Sequence, residues 1–121
     1  MTVVLLSRDL LFTSRIQAAF RAAGCEVVAV PRADDVRLNS VEDSHLVGCL
    51  VDLSNVPAPE VAGTLQSLAK RFPQTQIFAF GPHVQREKLQ AAQQAQATAV
   101  MTRGQFDRSL PTIVAHWTQA E

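Results

Sequence analysis

The sequence predicts an α/β protein in which helices cover both faces of a parallel sheet. Five short, apolar, β-branched runs alternate along the chain with longer segments that have helical periodicity. None of the five runs alternates cleanly between polar and apolar residues, which is typical of strands that are covered on both faces. Such an alternation predicts a doubly wound parallel sheet of five strands, and the 121 residues are predicted to form one domain, residues 1–121.

The five predicted strands are the apolar runs themselves. They cover residues 3–6, 26–30, 46–51, 76–80 and 98–101. In sheets of this type, ligands bind beyond the carboxyl ends of the strands, near the point where the strand order reverses. Candidate site residues are therefore expected directly after each strand.

Two helices are predicted from apolar residues that recur at intervals of three and four positions. The first helix carries Phe12, Ile16, Ala19 and Ala23, and the second carries Val61, Leu65, Leu68 and Phe72. Gly24 is expected to end the first helix. Lys70 and Arg71 fall in the last turn of the second, where cations are favoured, and Pro73 follows.

Three further helices are less regular. Residues 33–43 are rich in Asp, Asn and Ser and are predicted to form a helix of only about two turns. Residues 85–97 hold no charge after Lys88 and are rich in alanine and glutamine, which favour a helix. We interpret this helix as packed by its alanines against the sheet, with a partner or self-association surface as the alternative. The last helix carries Leu110, Ile113, Val114 and Trp117, with Pro111 predicted in its first turn.

Composition excludes several classes of function. Eleven basic residues balance eleven acidic ones, so no net charge attracts nucleic acid or an anionic membrane. No apolar run approaches the length of about 20 residues that spans a bilayer, and the opening TVVLL is too short for a signal peptide. Cys25 and Cys49 lie in apolar surroundings, which is typical of reduced core cysteines in a cytoplasmic protein.

The residues expected of an enzyme or a metal centre are also missing. The three histidines have no metal-ligand spacing, Ser7 has no identifiable histidine base, and no glycine-rich phosphate loop follows any predicted strand. The sequence therefore predicts no enzymatic activity, no cofactor and no bound metal.

The segments after four of the strands form a series with characteristic spacing. They read Ser7-Arg8-Asp9-Leu10-Leu11-Phe12, Leu50-Val51-Asp52, Phe80-Gly81-Pro82-His83 and Val100-Met101-Thr102-Arg103-Gly104. Position 8 lies 44 residues before position 52, which lies 51 residues before position 103. In order and spacing this series resembles the response-regulator receiver family over nearly the whole chain.

The resemblance implies a flavodoxin-like (βα)5 fold with strand order 2-1-3-4-5. It also implies phosphoryl transfer onto an aspartate, whose equivalent here is Asp52, with Mg²⁺ held by that aspartate and two carboxylates after the first strand. This chain has Ser7 and Arg8 at those two acidic positions. An arginine beside the metal position would repel a divalent cation strongly.

The chain departs from the family elsewhere too. The switch hydroxyl position holds Gly81, and the basic position holds Arg103, which is followed by Gly104 in place of proline. Asp9 is expected to be the N-cap of the first helix rather than a replacement metal ligand. The resemblance therefore predicts a pseudo-receiver, which keeps the aspartate but lacks its Mg²⁺ site.

Two interpretations of Asp52 remain open from the sequence. In one, Arg8 and Arg103 flank Asp52 and pair with it, in place of the counter-charges of metal and phosphate. In the other, Asp52 caps a turn or helix and Arg8 points into solvent.

The predicted function is a signalling domain of the two-component type that binds another signalling protein, a kinase or an output regulator. Family resemblance places the partner face, and a homodimer interface, on the helix 85–97, the fifth strand and the last helix. Candidate residues of that face are Gln93, Met101, Phe106 and Trp117. The alternatives are an anion or metabolite sensor using Arg8 and Arg103, a phosphorylation-competent receiver using Asp9 and, last, a small enzyme.

Overall fold

A computed structural model describes residues 1–119 and contains one five-stranded parallel sheet. Its strands are β1 (Thr2–Leu6), β2 (Glu26–Val30), β3 (Leu46–Asp52), β4 (Ile77–Gly81) and β5 (Ala99–Thr102). The order across the sheet is β2-β1-β3-β4-β5, and all neighbouring strands are parallel. The predicted strands and their order are confirmed. Strand order reverses beside β1, so the ends of β1 and β3 lie where ligands bind in such sheets.

Four α-helices pack on the two faces of the sheet in the part of the chain that the structure describes. They are α1 (Leu10–Arg21), α2 (Val61–Arg71), α3 (Arg86–Gln94) and α4 (Arg103–Trp117). As predicted, α1 ends before Gly24, which has a φ of 79°, a conformation that glycine adopts without a Cβ clash. The N–H of Cys25 then donates to the carbonyl of Phe20 at 3.0 Å and closes the end of the helix.

The helix predicted over residues 33–43 is wrong, because this segment forms only two 3-10 turns, Val36–Ser40 and Asp43–His45. The carboxylate of Asp35 accepts hydrogen bonds from the backbone N–H and the guanidinium of Arg37, and these bonds lower its pKa to about 2. Such local side-chain bonds compete with helix formation. Leu38 is the one buried residue of the first turn, so little apolar surface favours a longer helix.

The last helix begins earlier than predicted, and Pro111 lies in its interior rather than in its first turn. Thr102 and Gln105 form a capping box, in which each side chain accepts the backbone N–H of the other. This pairing satisfies two helix N–H groups and fixes the start at Arg103. Pro111 is exposed, and its nitrogen cannot donate the usual helical hydrogen bond to the carbonyl of Asp107.

The core has two layers, one on each face of the sheet. One layer lies under α2 and α3, and the other lies under α1 and α4. Cys25 and Cys49 are free and buried, as predicted, and burial raises the pKa of Cys49 to about 12. No helix within residues 1–119 combines the length and the apolar character needed to cross a membrane.

Candidate functional site

Asp52 is the last residue of β3 and lies in the middle of the carboxyl edge of the sheet, with only 3% of its surface exposed. Its Oδ2 accepts a hydrogen bond from the hydroxyl of Ser7 at 2.9 Å. Its Oδ1 accepts two more, from the backbone N–H of Ser54 at 3.0 Å and from the Ser54 hydroxyl at 2.7 Å. A carboxylate offers about four acceptor positions, so protein donors fill most of them.

Ser7 reaches Asp52 because the chain stays hydrogen-bonded to the sheet for one residue after β1. The backbone N–H of Ser7 donates to the carbonyl of Val30 at 3.1 Å, and its hydroxyl accepts the N–H of Asp9 at 3.2 Å. On the other side of the carboxylate, Asp52 caps the 3-10 turn Leu53–Asn55. Donors from two loops therefore hold one buried carboxylate.

The predicted pairing of Arg8 and Arg103 with Asp52 is wrong. Arg103 donates instead to Oδ2 of Asp9 at 3.0 Å, and its guanidinium lies 4.0 Å from the ring centroid of Phe12. Arg8 is exposed and forms no ion pair within residues 1–119. The serine donors already surround Asp52, and bringing a guanidinium into so buried a position would cost its hydration. The alternative interpretation, in which Asp52 caps a turn and Arg8 faces solvent, is what the structure shows.

Asp9 is the N-cap of α1, as predicted, and its Oδ1 accepts the backbone N–H of Phe12 at 3.0 Å. This backbone hydrogen bond lowers the pKa of Asp9, and the hydrogen bond from Arg103 lowers it further. Both carboxylate oxygens of Asp9 are therefore bonded to protein donors. Asp9 acts as a cap and an ion-pair partner at the edge of the site.

Gly81, the last residue of β4, lies against Leu53, which is fully buried. A Cβ at Gly81 would come 3.3 Å from the Cβ of Leu53 and 3.8 Å from a methyl group of Leu89. A side chain at position 81 would therefore be tightly packed, and Leu53 would have to shift slightly to admit it. Gly81 itself offers no hydroxyl to the site.

Lys88 of α3 is a contact that the sequence reasoning missed. Its ammonium group donates to the backbone carbonyl of Ser54 at 2.9 Å, which places a positive charge on the loop that binds Asp52. No local pattern could reveal this contact, because the two residues are 34 positions apart. Ser54 itself could have been found, because a serine two residues after an aspartate is a common turn signal.

These residues do not fit a magnesium ion. Mg²⁺ requires near-octahedral oxygen ligands, but the oxygens of Asp52 and Asp9 already accept protein hydrogen bonds. Within residues 1–119, no group of three or more His, Cys, Asp or Glu residues could hold a metal. The ammonium group of Lys88 already lies on the loop after β3.

The predicted partner face is only partly available. Phe106 is fully buried and stacks on Phe80 with ring centroids 4.0 Å apart. Trp117 is also buried, and its indole N–H donates to Gln76 at 3.0 Å. These two predictions are wrong, because both side chains belong to the core under α4. Gln93 is exposed and Met101 is half-buried, so these two remain candidates for the face.

No protein-family model and no curated protein sequence matches the chain. Solved structures do match it. A CheY-like protein (TadZ) from Pseudomonas aeruginosa PAO1 has a TM-score of 0.75 at 16% identity, over 100% of this chain and 95% of that one. A putative pilus assembly protein (CpaE) from Burkholderia thailandensis E264 has a TM-score of 0.70 at 15% identity, over 99% of each chain.

A third similar structure is the receiver domain of the sensor histidine kinase PA1611 from Pseudomonas aeruginosa PAO1. Its TM-score is 0.74 at 15% identity, over 98% of each chain, and it has a magnesium ion coordinated in its active-site cleft. The chain described here thus has the flavodoxin-like fold of response-regulator receiver domains. The resemblance in fold that the strand-end residues implied is confirmed.

Proposed function

We propose that this receiver-fold protein is a pseudo-receiver, a signalling domain that acts by binding another protein and is not phosphorylated on Asp52 in a Mg²⁺-dependent reaction. The observation that carries the proposal is the environment of Asp52. Its carboxylate is buried and accepts three hydrogen bonds, from Ser7 and Ser54. In this environment it serves as the cap of a turn.

Phosphoryl transfer would demand more than an aspartate. A carboxylate oxygen must reach the phosphorus atom in line with the leaving group, and cations must neutralise the charge on the transferred oxygens. Here Arg103 is paired with Asp9, Lys88 is bonded to the Ser54 carbonyl, and Leu53 fills the space beside Gly81. The residues that surround Asp52 therefore favour a structural role.

Nuclear magnetic resonance with Mg²⁺ and beryllofluoride tests the proposal. We expect the amide signals of Asp52, Leu53 and Ser54 to keep their positions at millimolar Mg²⁺ and beryllofluoride. We also expect incubation with a small phosphodonor to leave the protein mass unchanged. A Mg²⁺-dependent shift at Asp52, or an added phosphoryl group on it, would show that the domain is a conventional receiver.

A matched variant tests whether the missing carboxylates explain this result. Ser7→Asp combined with Arg8→Asp supplies two acidic groups and removes one cation, so the amide signals around Asp52 are expected to shift with Mg²⁺. A competent receiver domain measured in parallel establishes that the reagents are active.

The proposed protein-binding surface includes the start of α1. Leu10 and Leu11 are 81% and 83% exposed, which is unusual for two adjacent leucines, and exposed apolar groups are typical of contact surfaces when they cluster. They follow directly after Asp9, so a bound partner would touch the loop that holds Asp52. A kinase or an output regulator is the proposed partner, and Gln93 and Met101 are the proposed residues of a homodimer interface.

Substitution of these leucines tests the surface. Leu10→Ser with Leu11→Ser is expected to abolish the capture of specific partners from the source cell while leaving the melting temperature nearly unchanged, since both side chains are solvated. Val36→Ser is the matched control, because Val36 is 77% exposed but follows β2. If the double variant captures the same proteins as the wild type, the surface lies elsewhere.

A second candidate function comes from the similar structures. Besides TadZ and CpaE, they include a putative pilus assembly-related protein from Burkholderia pseudomallei K96243, with a TM-score of 0.71 at 15% identity. The partner could accordingly be a component of a pilus assembly system. The capture experiment distinguishes the two, because it identifies either signalling proteins or pilus assembly proteins as the partners that depend on Leu10 and Leu11.

The proposed anion sensor that uses Arg8 and Arg103 together has less support. Arg103 is bonded to Asp9 and packed on Phe12, whereas Arg8 lines a groove to which Arg103 does not contribute. The two guanidinium groups thus have different surroundings.

A further inference from the structure

The groove lined by Arg8 lies at the carboxyl edge of the sheet, and the proposed function leaves it unused. We call it the Arg8 groove. Its volume is about 560 Å³, within the usual range of small-molecule sites. Its walls are the end of β1, residues 31–34 after β2, residues 55–60 after β3, and one side of α2.

Two arginines line the groove. Arg8 lines the groove, is exposed, and has no acidic partner within residues 1–119. Arg32 supplies a second guanidinium, which pairs with Asp34 at 3.1 Å. Both members of that pair are largely exposed, and such pairs contribute little in water. Arg32 can therefore exchange Asp34 for a ligand anion, and guanidinium groups bind phosphate through two parallel hydrogen bonds.

The rest of the lining offers acceptors, hydroxyls and rigid apolar walls. Glu60 lines the groove and forms no ion pair within the described part of the chain, so its carboxylate can accept hydrogen bonds from ligand hydroxyls. Thr64 and Ser67 of α2 supply further hydrogen-bonding groups. Pro57 and Pro59 form stiff apolar walls, which suit a preformed site for a flat group.

Gly63 also lines the groove and leaves room for a ligand. A Cβ at this position would meet no atom within 4 Å. The formal charges of the lining sum to zero, with two arginines against Asp34 and Glu60. The groove therefore combines cations for an anionic group with acceptors for hydroxyl groups, which suits a small molecule that carries both rather than a polyanion.

We propose that the Arg8 groove binds a small phosphorylated ligand of the nucleoside monophosphate class. Its phosphate contacts Arg8 and Arg32, its sugar hydroxyls donate to Glu60, and its base packs against Pro57 and Pro59. The bound ligand would bridge the loops after β1 and β3. This proposal is independent of whether Asp52 is phosphorylated.

Titration of the full chain with adenosine monophosphate tests the proposal, with amide shifts and calorimetry as readouts. We expect saturable binding, with shifts at Arg8, Arg32, Glu60 and Thr64. Adenosine and inorganic phosphate, tested separately, are each expected to bind at least tenfold more weakly than the nucleotide, because each makes only part of its contacts.

Variants separate the phosphate contacts from the nucleoside contacts. Arg8→Ala is expected to weaken nucleotide binding at least tenfold, and Glu60→Gln to weaken adenosine and nucleotide binding but not phosphate binding. Arg21→Ala is the matched control, because Arg21 is an exposed arginine in the last turn of α1, away from the groove, and binding should be unchanged. The proposal is overturned if the nucleotide causes no saturable shifts, if Arg8→Ala binds as well as the wild type, or if phosphate alone binds as tightly as the nucleotide.

Discussion

Replacing Gly48 by alanine is expected to destabilise the protein by about 3 kcal/mol, at the upper end of the usual cost of overpacking. Gly48 lies in β3 under the indole of Trp117. A Cβ at this position would lie 2.5 Å from Cη2 and 2.6 Å from Cε3 of the ring, so the ring or the strand must move. Equilibrium unfolding in urea, followed by circular dichroism, measures the loss.

The indole has little freedom to move away. Its ring lies 6.2 Å from the ring of Phe20 and 4.8 Å from that of Phe78, and its N–H donates to Gln76 at 3.0 Å. Relieving the clash would therefore disturb two aromatic contacts and one hydrogen bond. The core under α4 depends on a glycine at position 48.

Two controls distinguish this clash from a general effect of adding a methyl group. Gly63→Ala places a Cβ in open space on α2 and is expected to stabilise the protein by up to about 1 kcal/mol, because alanine favours a helix. Gly48→Ala combined with Trp117→Phe should cost less than the sum of the two single changes, because the smaller ring removes part of the clash. Strict additivity would mean that Trp117 is not the cause.

Replacing Asp52 by alanine is expected to destabilise the protein by about 2–3 kcal/mol. The change removes three hydrogen bonds to a buried carboxylate, and bonds to charged groups contribute about 1.5–3 kcal/mol each when water does not replace them. Burying the charged carboxylate costs part of the free energy that these bonds contribute. The expected loss of stability is therefore smaller than the sum over the three bonds. Thermal and urea unfolding measure the difference.

Asp52→Asn is the matched control for shape. Its carbonyl oxygen can still accept from Ser54 and its amide can donate to the hydroxyl of Ser7, so a cost of about 1 kcal/mol is expected. Ser7→Ala, which removes only one of the three bonds, should cost a similar amount. If Asp52→Ala is as stable as the wild type, the carboxylate does not have the structural role proposed for it.

The strands could be predicted from the sequence because strands covered on both faces are nearly continuous apolar runs. The failures have local causes. The segment after β2 does not form the predicted helix, because the side chain of Asp35 bonds to Arg37. The start of α4 was misplaced because Pro111 suggested a first turn, although the spacing of Thr102 and Gln105 already indicated a capping box.

The sequence left two interpretations of Asp52 open and could not decide between them. Opposite charges suggested a pairing with Arg8 and Arg103, whereas in the structure the short side chains of Ser7 and Ser54 reach Asp52 and it caps a turn. Distances between loops decide such a choice, and a single sequence does not contain them. The positions of Asp9 as a cap and of Cys25 and Cys49 in the core depended on local patterns and were therefore predictable.

A chain of contacts runs across the whole carboxyl edge, from Arg103 through Asp9, Ser7, Asp52 and Ser54 to Lys88. These contacts join the connections after β5, β1 and β3 to one another and to the start of α3. In a domain that switches between two conformations, these segments would have to move relative to one another. Such a movement would have to break hydrogen bonds at Asp9, Asp52 and the Ser54 carbonyl, so these contacts oppose it.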